Sequence, residues 1–200
     1  LLTPFLFMPM KICVLSTSYP RSEDDYWVPF VPSWCRELAK TEDVTVVTSG
    51  GPGTKSYEVI DDVKIHRFSY FWPKSLQRLT YRGGMKESFK KEFLPKLQAP
   101  FFMLAFLAKS LRMAGKCDVI HAHWIPAGFV AVIAKMLFKK PIVLTEHGGS
   151  MRGLPKFLNR FVLKKIDIVT SAHDDVIQFA RQMGAKNAVN IRNFLDEDKF

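Results

Sequence analysis

Asp118-Val-Ile-His-Ala-His-Trp-Ile-Pro126 and, one helix later, Ile142-Val-Leu-Thr-Glu-His-Gly-Gly149 decide how this chain is read. In both, an apolar run ends in histidine. Val119 and Ile120 predict the end of a buried parallel strand, and residues 128–138 the helix that follows it. Residues 142–145 repeat the layout and lead into Glu146, His147, Gly148 and Gly149. Ligands of an open α/β sheet sit outside the carboxyl ends of its strands. His121, His123 and His147 are therefore expected in one shared crevice.

Outward from this stretch, strands are predicted over 11–16, 44–48, 63–68, 119–121, 142–145, 168–171 and 188–191. Helices are predicted over 29–40, 100–113, 128–138, 157–165 and 174–183, the last stopped by Gly184. Strands alternating with helices predict an α/β fold, a Rossmann-like doubly wound, mostly parallel sheet with helices on both faces. Residues 70–96 are too long for a plain connection and are either functional or partly helical.

With 200 residues, 48% apolar and 24% charged, the chain is globular rather than disordered. A net charge of +10 favours an anionic partner: nucleic acid, nucleotide phosphates or acidic lipid headgroups. Cys13, Cys35 and Cys117 are far apart and predict buried free thiols in a reducing compartment. Residues 1–10 read as an N-terminal extension without the basic start of a signal peptide. The most apolar run, 97–107, is broken by Gln98 and Pro100 and is shorter than the ~20 residues a bilayer span takes.

No G-x-G-x-x-G follows the first strand, and no P-loop is present, which argues against a nicotinamide enzyme or an NTPase. His121 and His123 share one face of a strand. A metal would need further ligands such as His147 or an acid, and no metal site is assigned; the pair reads either as strand-end hydrogen bonding or as polar groups of a substrate crevice. Gly148 and Gly149 let the backbone approach a ligand. Thr17 and Ser18, after the first strand, are placed to donate to it, and Arg21 to neutralise a phosphate. Glu23 and Glu146 are candidate bases, though no nucleophile is paired with either. Arg78, Arg82, Lys86, Lys90, Lys91 and Lys96, interleaved with Trp72, Tyr81, Phe89 and Phe93, suit either single-stranded nucleic acid or an anionic membrane surface.

Taken in order, these segments resemble the N-terminal domain of a glycosyltransferase family 4 enzyme of GT-B fold. Residues 11–20 (KICVLSTSYP) resemble its first strand and loop, and 30–48 its helix and second strand. Residues 118–124 (DVIHAHW) resemble D-V-V-H-x-H, and 141–148 (PIVLTEHG) resemble P-V-V-x-T-x-H-G. Residues 166–171 and 191–196 with Phe200 resemble the next strand and the I-P-N-G-V-D hinge. The chain departs at 24–30, where many members carry a Gly-rich loop, at Ser150, and at Arg192 and Phe194. The resemblance implies an acceptor-side domain over 11–190, a hinge beginning at 191–200, and an absent C-terminal donor-binding domain. It implies a retaining enzyme moving a sugar from a nucleoside diphosphate sugar to a glycan or lipid-linked acceptor, with no further cofactor. His123 would hold the donor sugar as the catalytic residue, His121 support the strand end, and Trp124, His147, Gly148 and Gly149 line the site. The family implies a cytoplasmic protein with peripheral contact at the inner membrane face, inactive as this chain alone. The alternatives are a non-catalytic module for a phosphorylated ligand or nucleic acid, and a GT-B enzyme of another kind such as an epimerase.

Overall fold

β1 (Lys11–Ser16) is buried along nearly its whole length, as a central parallel strand requires. Ile12 and Val14 join a cluster on one face with Val44, Val46, Val63 and Ile65, while Cys13 and Leu15 join the larger cluster on the other. The computed structural model describes residues 8–21, 29–80, 84–148 and 151–192. Gly149, Ser150, Glu23, Tyr81 and Arg82, most of the 24–30 departure, and the hinge motif from 193 onward, Phe194 included, lie outside the described residues.

The elements continue with α1 (Phe30–Ala39), β2 (Asp43–Ser49), β3 (Tyr57–Ile60), β4 (Val63–Phe68), α2 (Gly84–Lys91), α3 (Leu94–Ala114) and β5 (Val119–His123). They end with α4 (Trp124–Phe138), β6 (Ile142–Thr145), α5 (Lys156–Leu163), β7 (Ile168–Ser171), α6 (Asp174–Gln182) and β8 (Ala188–Asn190). One sheet runs β3-β4-β2-β1-β5-β6-β7-β8, and only β3 is antiparallel to its neighbour. The sheet is the α/β, mostly parallel one the alternation predicts. The order grows outward in both directions from the β1–β5 pair, which makes that pair the switch point where a crevice forms. α1 covers one face through Val31 and Cys35, and α3 and α4 cover the other through residues such as Phe102, Phe106, Val130 and Ala134. All three cysteines are buried and free of disulfides.

Three differences from the predicted elements have physical causes. β3 was not foreseen: it pairs with β4 through a two-residue turn in which Asp61 and Asp62 take φ of 50° and 60°. Aspartate tolerates the left-handed region without announcing it as Asn-Gly would. α3 starts at Leu94 and runs through Pro100, which is exposed, so water can satisfy the carbonyl the proline leaves unpaired. α2 occupies part of 70–96, the partly helical alternative. β5 reaches His123 and α4 begins at Trp124 rather than Gly128; Pro126 sits in the first turn, where its missing N–H costs nothing.

Candidate functional site

The carboxyl ends of β1, β5 and β6 lie side by side, with Ser16 opposite His123 and His123 opposite Thr145. Alternation puts Ile120 and Ala122 into the core beneath α4, so His121 and His123 project from the opposite face, the one α1 covers. Their rings lie 4.4 Å apart. His121 Nε2 is 2.7 Å from Thr145 Oγ1, which is 2.8 Å from Thr170 Oγ1. His121 thus ties β5 to β6 and β7.

His123 does the converging. Its Nδ1 is 2.9 Å from His147 Nε2, and the two rings stack within 7° of parallel at 5.2 Å. Phe30, at the start of α1, packs on His147 with ring centroids 4.1 Å apart, and Trp124 packs against both His147 and Phe30. These rings roof the pair, and His123 is wholly buried. The open crevice expected around His123 is therefore corrected: aromatic side chains cover it.

Burial is also the leading electrostatic cause. It lowers His121 to about 4 and His147 to about 3, the latter helped by His121 and His173. It holds His123 well below the ordinary histidine value, with His121 and His147 adding to the effect. All three rings are neutral at pH 7. Each neutral ring carries one N–H, and the His123–His147 bond uses one proton. If His123 donates from Nδ1, its Nε2 is a bare acceptor and His147 Nδ1 keeps a proton. If His147 donates from Nε2, the outer atoms exchange roles. Neither outer atom, His123 Nε2 or His147 Nδ1, has a hydrogen-bond partner among the described residues, and both are buried. The pair is a donor–acceptor unit with both outer ends unspent.

The remaining candidates separate. Glu146 is not placed as a base: it is fully buried, and its Oε1 accepts from Ile125 N at 2.7 Å. A carboxylate there caps the amino end of α4. Trp124 takes φ of 67° between strand and helix, a strained conformation for a bulky residue. Gly148 takes φ of 89°, which favours glycine. Thr17 is buried after β1, and the Ser18 amide is held by Ser16 Oγ at 3.3 Å. Arg21 reaches Thr80 rather than an open phosphate site, with its guanidinium 2.8 Å from Thr80 Oγ1 and 3.1 Å from Thr80 O; Thr80 in turn meets Ser49 at 2.9 Å. Among the described residues, no group of three His, Cys, Asp or Glu is arranged to hold a metal ion.

Sequence reasoning missed His173. It follows β7 just as His123 ends β5 and His147 follows β6, so the signal was a third strand end delivering histidine. It lines a cleft of about 160 Å³ with Glu146, Gly148, Met151 and Arg152. Phe30 was also missed as a site residue, since nothing local marks a helix-opening phenylalanine as the roof over a distant histidine.

Known proteins bear on this arrangement. Residues 28–192 match the family described as a glycosyl transferase 4-like domain. No curated protein matches the chain. Among solved structures, HepE from Anabaena, in complex with UDP and glucose, is similar at TM-score 0.61 and 16% identity, over 94% of this chain and 46% of that one. Sucrose-phosphate synthase from Thermosynechococcus elongatus is similar at TM-score 0.59 and 15% identity, over 92% and 48%. UDP-N-acetylglucosamine 2-epimerase from Rickettsia bellii is similar at TM-score 0.53 and 10% identity, over 93% and 45%. The chain spans about half the length of each, and at these identities the likeness is one of fold. The match over 28–192 and the GT-B half-fold together place this chain in the glycosyl transferase 4-like domain family.

Proposed function

We propose that this domain is the acceptor-side half of a retaining glycosyltransferase that uses a nucleoside diphosphate sugar. The observation that carries the reading is the pair His123–His147 at the switch point, neutral and with its outer nitrogens unspent. A neutral imidazole in a water-poor site can hold a sugar hydroxyl and help stabilise positive charge growing at the anomeric carbon. Phe30 and Trp124 must give way for the sugar to reach His123 Nε2. Gly148 and the cleft beside His173 lie next to the pair and suit the sugar or the acceptor. Thr17, Ser18 and Arg21 border the same rim. Arg21 would have to leave Thr80 to meet a phosphate.

UDP is the first donor nucleotide to test, since HepE is solved with it. The acceptor is a glycan or a lipid-linked sugar, met at the cytoplasmic face of an anionic membrane. A second α/β domain supplies most of the nucleotide contacts. The test measures sugar transfer by the intact protein carrying this chain, with the anomeric configuration of the product read by NMR. Retention is expected, and His123→Ala should lower kcat about 10²-fold or more. Inversion, or an unaffected His123→Ala enzyme, overturns the assignment. Salt-dependent RNA binding with no response to sugar nucleotides would favour a binding module instead.

A further inference from the structure

α3 rests one side on the sheet, with Phe102 and Phe106 fully buried and Gln98 and Ser110 on the same inner side. The outer side of a helix placed this way is normally polar. Here it is not. From Leu97 to Ala108 the chain carries no charged residue, yet Leu97, Phe101 and Leu104 are 53%, 49% and 65% exposed. Phe93, one turn earlier, is 77% exposed. Steps of four, four and three put these side chains in one stripe. The Phe71 ring meets Phe101 edge-on at 6.3 Å, which brings the neighbouring Trp72, 87% exposed, alongside. Scattered apolar residues on a surface need no account, but a contiguous patch does.

Charge names the occupant. Lys74, Lys91 and Lys96 flank the stripe, are exposed, and make no ion pair among the described residues. The nearby acids are engaged, Glu92 by Arg78 and Glu87 by Lys90. An apolar ridge with an exposed tryptophan at its edge and lysines around it is the pattern of a helix lying in a membrane interface. No helix among the described residues is long and apolar enough to cross a membrane, so α3 would lie on the bilayer.

We propose that the outer face of α3, with Trp72 beside it, is a docking surface for an anionic lipid bilayer. This deepens the lipid-linked acceptor reading above and rests on it only for the purpose of docking. A bilayer-held acceptor would then be presented to a domain already seated on its surface.

The test is co-sedimentation of the chain with phosphatidylcholine vesicles, with and without phosphatidylglycerol, at low and high salt. Binding is expected only to the anionic vesicles and weakens with salt. Leu97→Glu with Leu104→Glu should cut binding more than about tenfold, and each of Lys91→Ala and Lys96→Ala about fivefold. Far-UV circular dichroism checks that these surface variants stay folded. Independently, brominated lipid should quench the tryptophan emission of the wild type, and Trp72→Phe should abolish most of that quenching. Absence of binding, equal binding by the double glutamate variant, or quenching that survives Trp72→Phe overturns the proposal. So does self-association that the glutamates abolish without any vesicle binding, which would assign the stripe to a second copy. Sugar transfer enters none of these readouts: a chain that fails to dock leaves the transfer reading standing, and an inactive protein that docks leaves this one standing.

Discussion

At the scale of single residues, the stacked histidines dominate because they are buried without charge. Burial lowers His121 to about 4 and His147 to about 3, and holds His123 well below the ordinary histidine value. In the unfolded chain, histidine titrates near 6.5. The unfolded state therefore takes up protons first as pH falls. The stability these rings contribute is complete above about 6.5 and is lost as pH drops toward their folded values. His121 alone should cost on the order of 2 kcal/mol at pH 5. Urea unfolding at pH 7 and pH 5 should show the loss, and His121→Asn should reduce the difference by about 2 kcal/mol, with His123 and His147 keeping the rest; a difference unchanged by the substitution would mean His121 does not titrate as described. Glu146 supports a second prediction. Because its carboxylate caps α4 through Ile125 N, Glu146→Ala should destabilise by about 1–2 kcal/mol, while Glu146→Gln, which keeps an acceptor oxygen, should lose less. Chemical denaturation of the two variants separates capping from catalysis.

At the scale of elements, α4 is placed by close approach. A Cβ at Gly128 would meet Val162 Cγ1 at 3.0 Å and Leu144 Cδ1 at 3.2 Å, so the helix lies hard against both β6 and α5. Those contacts seat α4, which follows His123 directly, against the strand that leads into His147. Gly128→Val should destabilise by about 1–3 kcal/mol through overpacking, read as a lowered Tm. The β3–β4 hairpin is tied in by charge. Arg67, almost wholly buried, meets Glu58 at 2.7 Å and Pro20 O at 2.9 Å. Removing one partner of such a pair leaves a buried charge and is costly, whereas removing both costs far less. The hairpin is thereby anchored to the chain just after β1.

At the scale of the whole molecule, the chain spans about half the length of HepE and of the sucrose-phosphate synthase compared above, and the His123–His147 pair stands at one rim of one sheet. Under the proposed function, the phosphate-bearing end of the donor is held mainly by a second domain. This chain alone should then transfer no detectable sugar from a radiolabelled nucleotide donor, while the intact protein does. Robust turnover by residues 1–200 would refute the division of labour.

Much of this was legible in the order of residues. Apolar runs of four to six residues separated by helical lengths require a parallel sheet, because only burial on both faces suits strands such as β1 and β6. That alternation, with histidine after successive strands, also pointed to the rim where the histidines meet. Other features depend on contacts between distant segments and leave no local trace. Asp61 and Asp62 close a hairpin that only pairing with β4 reveals, and Pro100 is carried inside α3 at an exposed position, where water can satisfy the carbonyl four residues earlier. Phe30 and Trp124 cover His123 because α1 and the β5–α4 junction meet over the same strand end. Local periodicity records which face of an element is buried; which distant side chain buries it, and whether a ring is thereby kept neutral and dry, follows from packing across the assembled sheet.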